Sequence, residues 1–188
     1  MFSGSIVAIV TPFTSDGGVD FEALANLVEF QIENGTSGIV PCGTTGESPT
    51  LTHAEHEEVI SKTIEFVKGR VPVIAGTGSN STDEAVAMTQ AAEKAGADAV
   101  LQVNPYYNRP SQEGLYAHFS TVAKNTALPI VLYNIPGRTG VAMTLETIYR
   151  LAEIDTIQAI KDATGNVASV TPVVSNTNLS VLSGDDAL

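Results

Sequence analysis

Short apolar runs that alternate with helix-like segments constrain the fold of this chain more than any other feature. Most of these runs are continuously hydrophobic, as expected of strands that are covered on both faces. Alternation of strands and helices predicts a parallel sheet with right-handed crossovers. The seven runs are Ile6–Val10, Gly38–Pro41, Val71–Ala75, Ala99–Val103, Ile130–Tyr133, Thr156–Lys161 and Leu179–Leu182.

Capping residues predict where the intervening helices begin. A glutamate follows two of these caps three positions later, at Glu55 and Glu84, which predicts two capping boxes. The segment from Asn166 to Thr177 is the weakest helix prediction, because Pro172 lies inside it and β-branched residues dominate. The predicted caps are Asp20, Thr52, Ser81, Ser111 and Thr144.

Two architectures fit this alternation, a doubly wound open sheet and an eightfold barrel. The glycine-rich dinucleotide signature is missing after the first run, where Thr11-Pro12-Phe13 stands instead. Gly76-Thr77-Gly78 after the third run is only a weak match to that signature. Residues that could carry chemistry follow six of the runs, which is typical of a barrel whose site collects residues from many strand ends. We therefore predict a (β/α)8 TIM barrel of the α/β class.

The number of runs predicts an incomplete barrel. A closed barrel needs an eighth strand between the seventh and the first, and the chain offers seven runs. We therefore expect residues 1–188 to form a partial TIM-barrel catalytic domain, truncated after the seventh strand. Ile6–Val10 and Leu179–Leu182 would then present unpaired apolar edges. An inactive, truncated fragment that serves binding or assembly remains an alternative at this point.

Composition limits the partners and the compartment. The formal net charge of -12 argues against nucleic acid and against an anionic membrane surface. No apolar stretch approaches the ~20 residues that a bilayer-spanning helix needs, and no basic segment that would indicate a signal peptide precedes the first run. The single cysteine, Cys42, excludes an internal disulfide and fits a cytoplasmic location.

One lysine stands at the carboxyl end of a predicted buried strand. Ile157, Ala159 and Lys161 alternate with Gln158 and Ile160, which is the period of a strand. An ammonium group is costly to remove from water, so a buried lysine tends to lower its pKa and becomes a nucleophile for carbonyl groups. The alternative is a strand-end lysine that reaches solvent, and burial statistics favour it for a lysine chosen at random.

Three further loops at predicted strand ends carry candidate binding residues. The turn from Gly43 to Ser48 has glycines that let a ligand approach the backbone, and hydroxyls that could hold a carboxylate. Adjacent tyrosines in the loop from Asn104 to Pro110 suggest a displayed aromatic side chain. Tyr133 ends the fifth run, and Arg138 follows in a turn where its guanidinium suits a carboxylate. An ordinary glycine-rich turn, core packing and a surface arginine are the respective alternatives.

These loops resemble one protein family. Gly43–Glu47, Tyr133–Gly140 and Ile160–Gly165 resemble the signatures of the dihydrodipicolinate synthase family of pyruvate-dependent class I aldolases, which are (β/α)8 barrels. The resemblance covers the chain from Met1 to Leu188. Members of the family are longer, so the resemblance implies that the eighth strand and the C-terminal helical region are absent from this chain.

The resemblance implies a reaction that needs no cofactor. Lys161 would form an imine with pyruvate, and the derived enamine would attack the aldehyde of L-aspartate 4-semialdehyde. The product would be 4-hydroxy-tetrahydrodipicolinate, on the route to diaminopimelate and lysine. Tyr133 would be the acid and base at the imine, within a hydroxyl relay formed by Thr44 and by Tyr107 from a neighbouring subunit. The resemblance thus implies a homo-oligomer, a dimer of dimers.

Binding roles and the choice of subfamily follow from the same resemblance. Thr45 and the backbone as far as Gly46 would hold the pyruvate carboxylate, and Arg138 would hold the carboxylate of the semialdehyde. Relatives that act on N-acetylneuraminate or keto-deoxy sugar acids usually differ at the position of Thr44 and lack the arginine. Both residues therefore favour the synthase over these other lyases. Asp162 and Asn104 are departures from the family pattern that touch no catalytic role.

A second set of residues implies regulation. His53 and His56 have the spacing of one helix face and could bind a metal, although solvated residues are the commoner outcome. In the family, matching residues line an allosteric pocket for lysine at a subunit interface, so lysine is the expected inhibitor. The implied pocket residues are Ser48, Leu51, His53, His56, Asn80, Glu84 and Tyr106.

Overall fold

The computed structural model describes residues 2–187, which form seven parallel strands separated by helices, with two helices between the fifth and sixth strands. The strands are β1 Ile6–Ala8, β2 Gly38–Val40, β3 Ile74–Gly76, β4 Ala99–Val103, β5 Ile130–Asn134, β6 Ile157–Asp162 and β7 Ser180–Ser183. The helices are α1 Phe21–Glu33, α2 His53–Val67, α3 Thr82–Ala95, α4 Gln112–Lys124, α5 Pro136–Thr139, α6 Leu145–Ala152 and α7 Val170–Asn176. Single 3-10 turns occupy Ser48–Thr50 and Val167–Ser169.

The strands follow one another in sequence order around a curled sheet. Strands β3 to β7 form one parallel ladder, and β1 pairs with β2. A parallel bridge between Ile39 and Val73 joins the two parts, and the Gly76 amide donates to the Pro41 carbonyl at 3.0 Å. No bridge joins β7 to β1 within residues 2–187. The predicted barrel order is confirmed, with seven strands in the described part of the chain.

Two hydrophobic layers show that the sheet curls around an interior. The outer layer packs the helices on the strands and includes Ile39, Val100 and Leu132. The inner layer gathers side chains from all seven strands into one cluster, because successive residues of a strand point to opposite faces. Its strand residues are Ile6, Ala8, Val40, Ile74, Ala99, Leu101, Val103, Val131, Tyr133, Ala159 and Leu182.

A β-bulge in β6 corrects the predicted alternation around the lysine. Ile130 pairs with Ile157, but the next residue of β5, Val131, pairs with Ala159, so that Gln158 is an extra residue. Ile157 consequently lies in the outer layer while Ala159 lies in the inner one. The prediction that Ile157, Ala159 and Lys161 share one face is therefore wrong. Because of the bulge, the side chains of Ala159 and Lys161 point into the interior of the curled sheet.

The capping predictions are confirmed with one exception. Side chains of all five predicted caps accept a hydrogen bond from the first turn of their helix, and Thr52 forms a reciprocal capping box with Glu55. Ser81 caps α3, but the carboxylate of Glu84 bonds to Ser79 and His53 instead of returning to the cap. The predicted second capping box is therefore wrong in its return bond.

The segment from Asn166 to Thr177 is helical despite its proline. Pro172 lies at the third position of α7, where a helix needs no N–H donor, so it does not interrupt the helix. In contrast, the predicted strand from Val71 begins only at Ile74. Pro72 has no N–H, and the Val73 amide donates to the Asp98 carboxylate at 2.8 Å.

Among residues 2–187, no helix is long and apolar enough to cross a membrane.

Candidate active site

One row of the sheet brings two predicted site residues together at the carboxyl end of the barrel. Val103, Tyr133, Lys161 and Leu182 are successive register partners across β4, β5, β6 and β7. The Lys161 Nζ lies 4.5 Å from the centroid of the Tyr133 ring. Since neighbouring strands fix this pairing, the backbone ladder itself sets the separation of the amine and the phenol.

Burial changes the ionisation of both groups. Loss of solvent at Lys161 lowers the pKa of its amine, although the negative charges of Asp186 and Asp185 act in the opposite direction. Burial likewise raises the pKa of Tyr133, while the Arg138 charge and the Thr44 hydroxyl partly offset that increase. The amine is therefore easier to deprotonate than an exposed lysine, and the phenol stays protonated at neutral pH.

A large cavity connects the strand ends with the loops. It has a volume of about 850 Å³ and is lined by Lys161 and Tyr133 together with Thr44, Thr45 and Arg138. These five predicted residues therefore meet around one space. A smaller cavity of about 220 Å³ adjoins it and shares Thr44, Tyr133 and Arg138. The alternative of a strand-end lysine that reaches solvent is not favoured, because Lys161 is half-buried and lines the larger cavity.

The turn after β2 has an unusual backbone. Cys42 and Glu47 have φ angles of 53° and 58°, in the left-handed region that non-glycine residues rarely occupy. Gly76 packs against the Cys42 carbonyl so closely that a β-carbon would clash with it. Thr44 and Thr45 lie exposed between the two left-handed residues. Hydroxyls and free amide groups at such a turn can bind a carboxylate.

The two tyrosines of the loop after β4 point to different places. Tyr106 lines the smaller cavity, whereas Tyr107 is 91% exposed and has a left-handed φ of 73°. The structure therefore does not bring Tyr107 into the cavities that Tyr133 and Thr44 line in the same chain.

The predicted regulatory residues fall into exposed and buried groups. The His53 Nε2 lies 2.6 Å from the Glu84 Oε1, and Asn80 donates from its side-chain amide to the Tyr106 carbonyl at 3.1 Å. Ser48 lies with Tyr106 on the smaller cavity. The other two members, Leu51 and His56, are buried.

The metal alternative for the histidines lacks support. His56 is 2% exposed, whereas His53 is exposed and its Nε2 lies 2.6 Å from the Glu84 Oε1. Burial lowers the pKa of His56. No group of three or more His, Cys, Asp or Glu residues suited to a metal ion occurs in the described part of the chain.

Sequence reasoning missed the residues that follow β7. Gly184, Asp185 and Asp186 line the larger cavity, and the two carboxylates act on the lysine charge. The segment Ser183-Gly184-Asp185-Asp186 directly follows the last apolar run, at the same edge as the other loops. The position of this segment directly after a predicted strand is the sequence signal that could have identified it.

A pair of buried amides also went unpredicted. Asn104 donates to the Asn134 side chain at 3.0 Å and to the Val141 carbonyl at 3.1 Å. Asn134 also accepts from the Met143 amide at 3.1 Å. These bonds tie the end of β4 to the loop that carries Arg138, and they give Asn104 a structural role.

Comparisons with known proteins agree with this geometry. The sequence profile of the dihydrodipicolinate synthetase family matches residues 1–188. The 4-hydroxy-tetrahydrodipicolinate synthase of Persephonella marina is 56% identical over 191 residues, which cover 100% of this chain and 65% of that relative. The chain thus spans slightly less than two thirds of the length of this relative.

Two solved structures are similar over nearly the whole chain. The chloride-inhibited dihydrodipicolinate synthase from Acinetobacter baumannii, in complex with pyruvate, superposes with a TM-score of 0.96 at 53% identity, covering 99% of this chain and 65% of that one. The enzyme from Cyanidioschyzon merolae with lysine bound gives a TM-score of 0.95 at 45% identity, covering 98% and 64%.

Proposed function

This chain belongs to the dihydrodipicolinate synthetase family, and from that premise we propose that it carries the catalytic centre of a 4-hydroxy-tetrahydrodipicolinate synthase. The enzyme would condense pyruvate, held as a lysine imine, with L-aspartate 4-semialdehyde in diaminopimelate and lysine biosynthesis. The pairing of Lys161 with Tyr133 across β5 and β6, facing a cavity, is the observation that carries the proposal.

Imine formation needs an uncharged amine and a proton donor beside it. Burial of Lys161 favours the uncharged amine, because it lowers the pKa of the ammonium group. The Tyr133 phenol, protonated because burial raises its pKa, donates to the carbinolamine oxygen as water leaves. It then takes part in the proton transfers that convert the imine into the enamine. No cofactor is needed for these steps.

Two substrates that each carry a carboxylate need two clamps. We assign the pyruvate carboxylate to Thr45, which faces the cavity that Lys161 lines, and to the backbone of the turn as far as Gly46. Arg138, at the mouth of the same cavity, would bind the carboxylate of the semialdehyde. This arrangement orients the aldehyde towards the enamine carbon and supplies most of the positioning.

The proton relay in this proposal extends beyond one chain. Thr44 lies near Tyr133 within the subunit. Tyr107 would complete the relay from a neighbouring subunit, which fits its 91% exposure on a loop with a left-handed backbone. Activity would therefore require a homo-oligomer, and a dimer of dimers is the assembly we propose, in the cytoplasm.

Lysine is the inhibitor that we propose for the enzyme. The Cyanidioschyzon merolae relative binds lysine. Glu84 offers a carboxylate to an ammonium group, and Asn80 offers an amide close to Tyr106. Adding millimolar lysine to the assay should lower the rate of the full-length enzyme. An unchanged rate would remove the regulatory part of the proposal only.

Reductive trapping tests the catalytic proposal. Incubation with pyruvate and borohydride should add the mass of a reduced pyruvate imine at Lys161, located by peptide mapping. The Lys161→Arg variant, which keeps the charge, should gain no mass. Labelling of a different lysine would overturn the proposal. Supplying N-acetylneuraminate or keto-deoxygluconate instead of the semialdehyde would detect a sugar-acid lyase, an alternative that the reported relatives do not favour.

A further inference from the structure

Thr11 lies shortly after β1 and contacts the Gly43–Glu47 turn, the proposed carboxylate-binding segment. It does not line either cavity. Its hydroxyl donates to the Gly46 carbonyl at 2.7 Å, across 35 residues of sequence. Thr11 is only 4% exposed, so this bond is shielded from water. A buried hydroxyl with a defined acceptor contributes more to geometry than a solvated one does.

The turn needs an anchor because its backbone is strained. Cys42 and Glu47 flank it with left-handed φ angles, a conformation that persists only where the surroundings enforce it. The hydrogen bonds inside the turn are local and long, with Gly46 donating to Gly43 at 3.1 Å and Glu47 donating to Thr44 at 3.2 Å. Such bonds cannot by themselves select this conformation.

Within residues 2–187, the bond from Thr11 is the one hydrogen bond that reaches the backbone of Gly43–Glu47 from outside positions 43–50. Gly46 is also in close contact with the end of β1, since a β-carbon there would lie 3.0 Å from the Ile9 carbonyl oxygen. Gly46 therefore packs against Ile9, directly after β1, and the Thr11 hydroxyl holds its carbonyl there.

We propose that Thr11 is a positioning residue, which holds the Gly43–Glu47 turn in the conformation that binds the substrate carboxylate. The proposal rests on the proposed function, because it takes Thr45 and the turn backbone as the pyruvate clamp. Thr11 touches no substrate and acts through Gly46. Its loss should weaken pyruvate binding and leave the chemistry at Lys161 unchanged once the site is filled.

Thr11→Val tests this role, because valine keeps the shape and removes the hydroxyl. The pyruvate concentration that gives half-maximal borohydride trapping in the full-length protein should rise about three- to tenfold, the equivalent of one hydrogen bond. The trapping rate at saturating pyruvate should change little. Thr11→Ser should restore the half-saturating concentration, because serine keeps the donor.

Thr63→Val is the matched control. Thr63 is fully buried and donates to the Val59 carbonyl at 2.7 Å, within α2 and away from the cavities. Its substitution removes a comparable buried bond, so it should reduce stability without raising the half-saturating pyruvate concentration. Equal half-saturation in Thr11→Val and Thr63→Val would overturn the proposal, as would a Thr11→Ser variant as weak as Thr11→Val.

Hydrogen exchange separates this proposal from the proposed function. Amides of Gly43–Ser48 should exchange faster in Thr11→Val than in the parent or in Thr63→Val, and unchanged exchange would show that Thr11 does not hold the turn. Faster exchange without weaker pyruvate binding would overturn the positioning role. A parent protein that traps no pyruvate would instead refute the proposed function, and the exchange data would still decide whether Thr11 holds the turn.

Discussion

The side chain of Lys161 occupies space that the glycine at position 184 leaves free. A β-carbon on Gly184 would lie 2.9 Å from the Ala163 Cβ, 3.0 Å from the Lys161 Cε and 3.3 Å from the Lys161 Cγ. The amide of Gly184 donates to the Asp162 carbonyl at 2.7 Å, which keeps the glycine beside β6. The space that the lysine stem occupies therefore depends on a residue from the loop after β7.

Gly184→Ala should slow imine formation by displacing the amine. Gly184 does not have a left-handed backbone, so alanine adds crowding and no backbone strain. A displacement of about 1 Å can reduce a rate by up to about 100-fold, and borohydride trapping measures that rate. Gly18→Ala is the control, since the nearest atom to its β-carbon is the Thr14 hydroxyl at 3.5 Å. Equal trapping rates in the two variants would contradict the prediction.

His118 predicts how stability responds to acid. It is 5% exposed, its Nδ1 lies 2.8 Å from the Thr82 hydroxyl, and burial lowers its pKa to about 4. An unfolded chain binds this proton near pH 6.5, so the folded state loses stability as the pH falls from about 6.5 towards 4. His56 contributes with the same sign.

The measurement is urea unfolding at a series of pH values, comparing the parent protein with His118→Gln. The free energy of unfolding should fall less steeply between pH 6.5 and 4 in the variant, because it lacks one buried imidazole that must be protonated. Parallel curves for the two proteins would refute the assignment to His118.

At the scale of elements, the bulge in β6 decides which way Lys161 points. Gln158 is the extra residue, and its side chain is exposed. After it, the side chains of Ala159 and Lys161 point into the interior. Because the side-chain period of a strand is two residues, Lys161 would point to the other face if Gln158 were paired as an ordinary strand residue.

Deletion of Gln158 should therefore leave pyruvate trapping intact, because Ile157 and Ala159 would still pair with Ile130 and Val131. Insertion of one alanine between Ala159 and Ile160 should instead abolish trapping, because it shifts Lys161 by one position and turns it away from the cavity. Circular dichroism of the insertion variant should retain its helical signal, which shows that the loss of trapping comes from the register. Trapping at the parent level in a folded insertion variant would contradict this account of the bulge.

Much of this architecture was predictable, because apolar runs and caps are local signals. The run from Ala99 to Val103 matches β4 at both ends, whereas Val71 and Pro72 remain outside β3. The face of Lys161 was not predictable, since the bulge appears only in the pairing with β5. The bond from Thr11 to Gly46 has no signal in the sequence, because it joins distant residues through the fold.

At the scale of the whole molecule, β1 and β7 form the two free borders of the described sheet. The larger cavity opens between them, lined by Ile6, Val7 and Ala8 on one side and by Leu182 and Ser183 on the other. Unpaired N–H and C=O groups along such edges can pair with another chain. The curled sheet therefore offers an opening that a further strand would fill.

A polypeptide restricted to these 188 residues should self-associate through those borders. Size-exclusion chromatography with light scattering should show a mass that increases with protein concentration and with no limiting stoichiometry. A polypeptide extended to the length of the relatives of which this chain spans 64–65% should give one defined assembly. A stable monomer of the 188-residue polypeptide at all concentrations would refute the prediction.

The register pairing of Tyr133 with Lys161 has a consequence for substrate range. In the proposed function, carbonyl capture would depend on two adjacent strands of the sheet, while Arg138 in α5 would select the acceptor aldehyde. Redesign of α5 and its flanking residues should then exchange the electrophile without disturbing the nucleophile. A library confined to positions 135–140 is the natural starting point for new carbon–carbon bond formation from pyruvate.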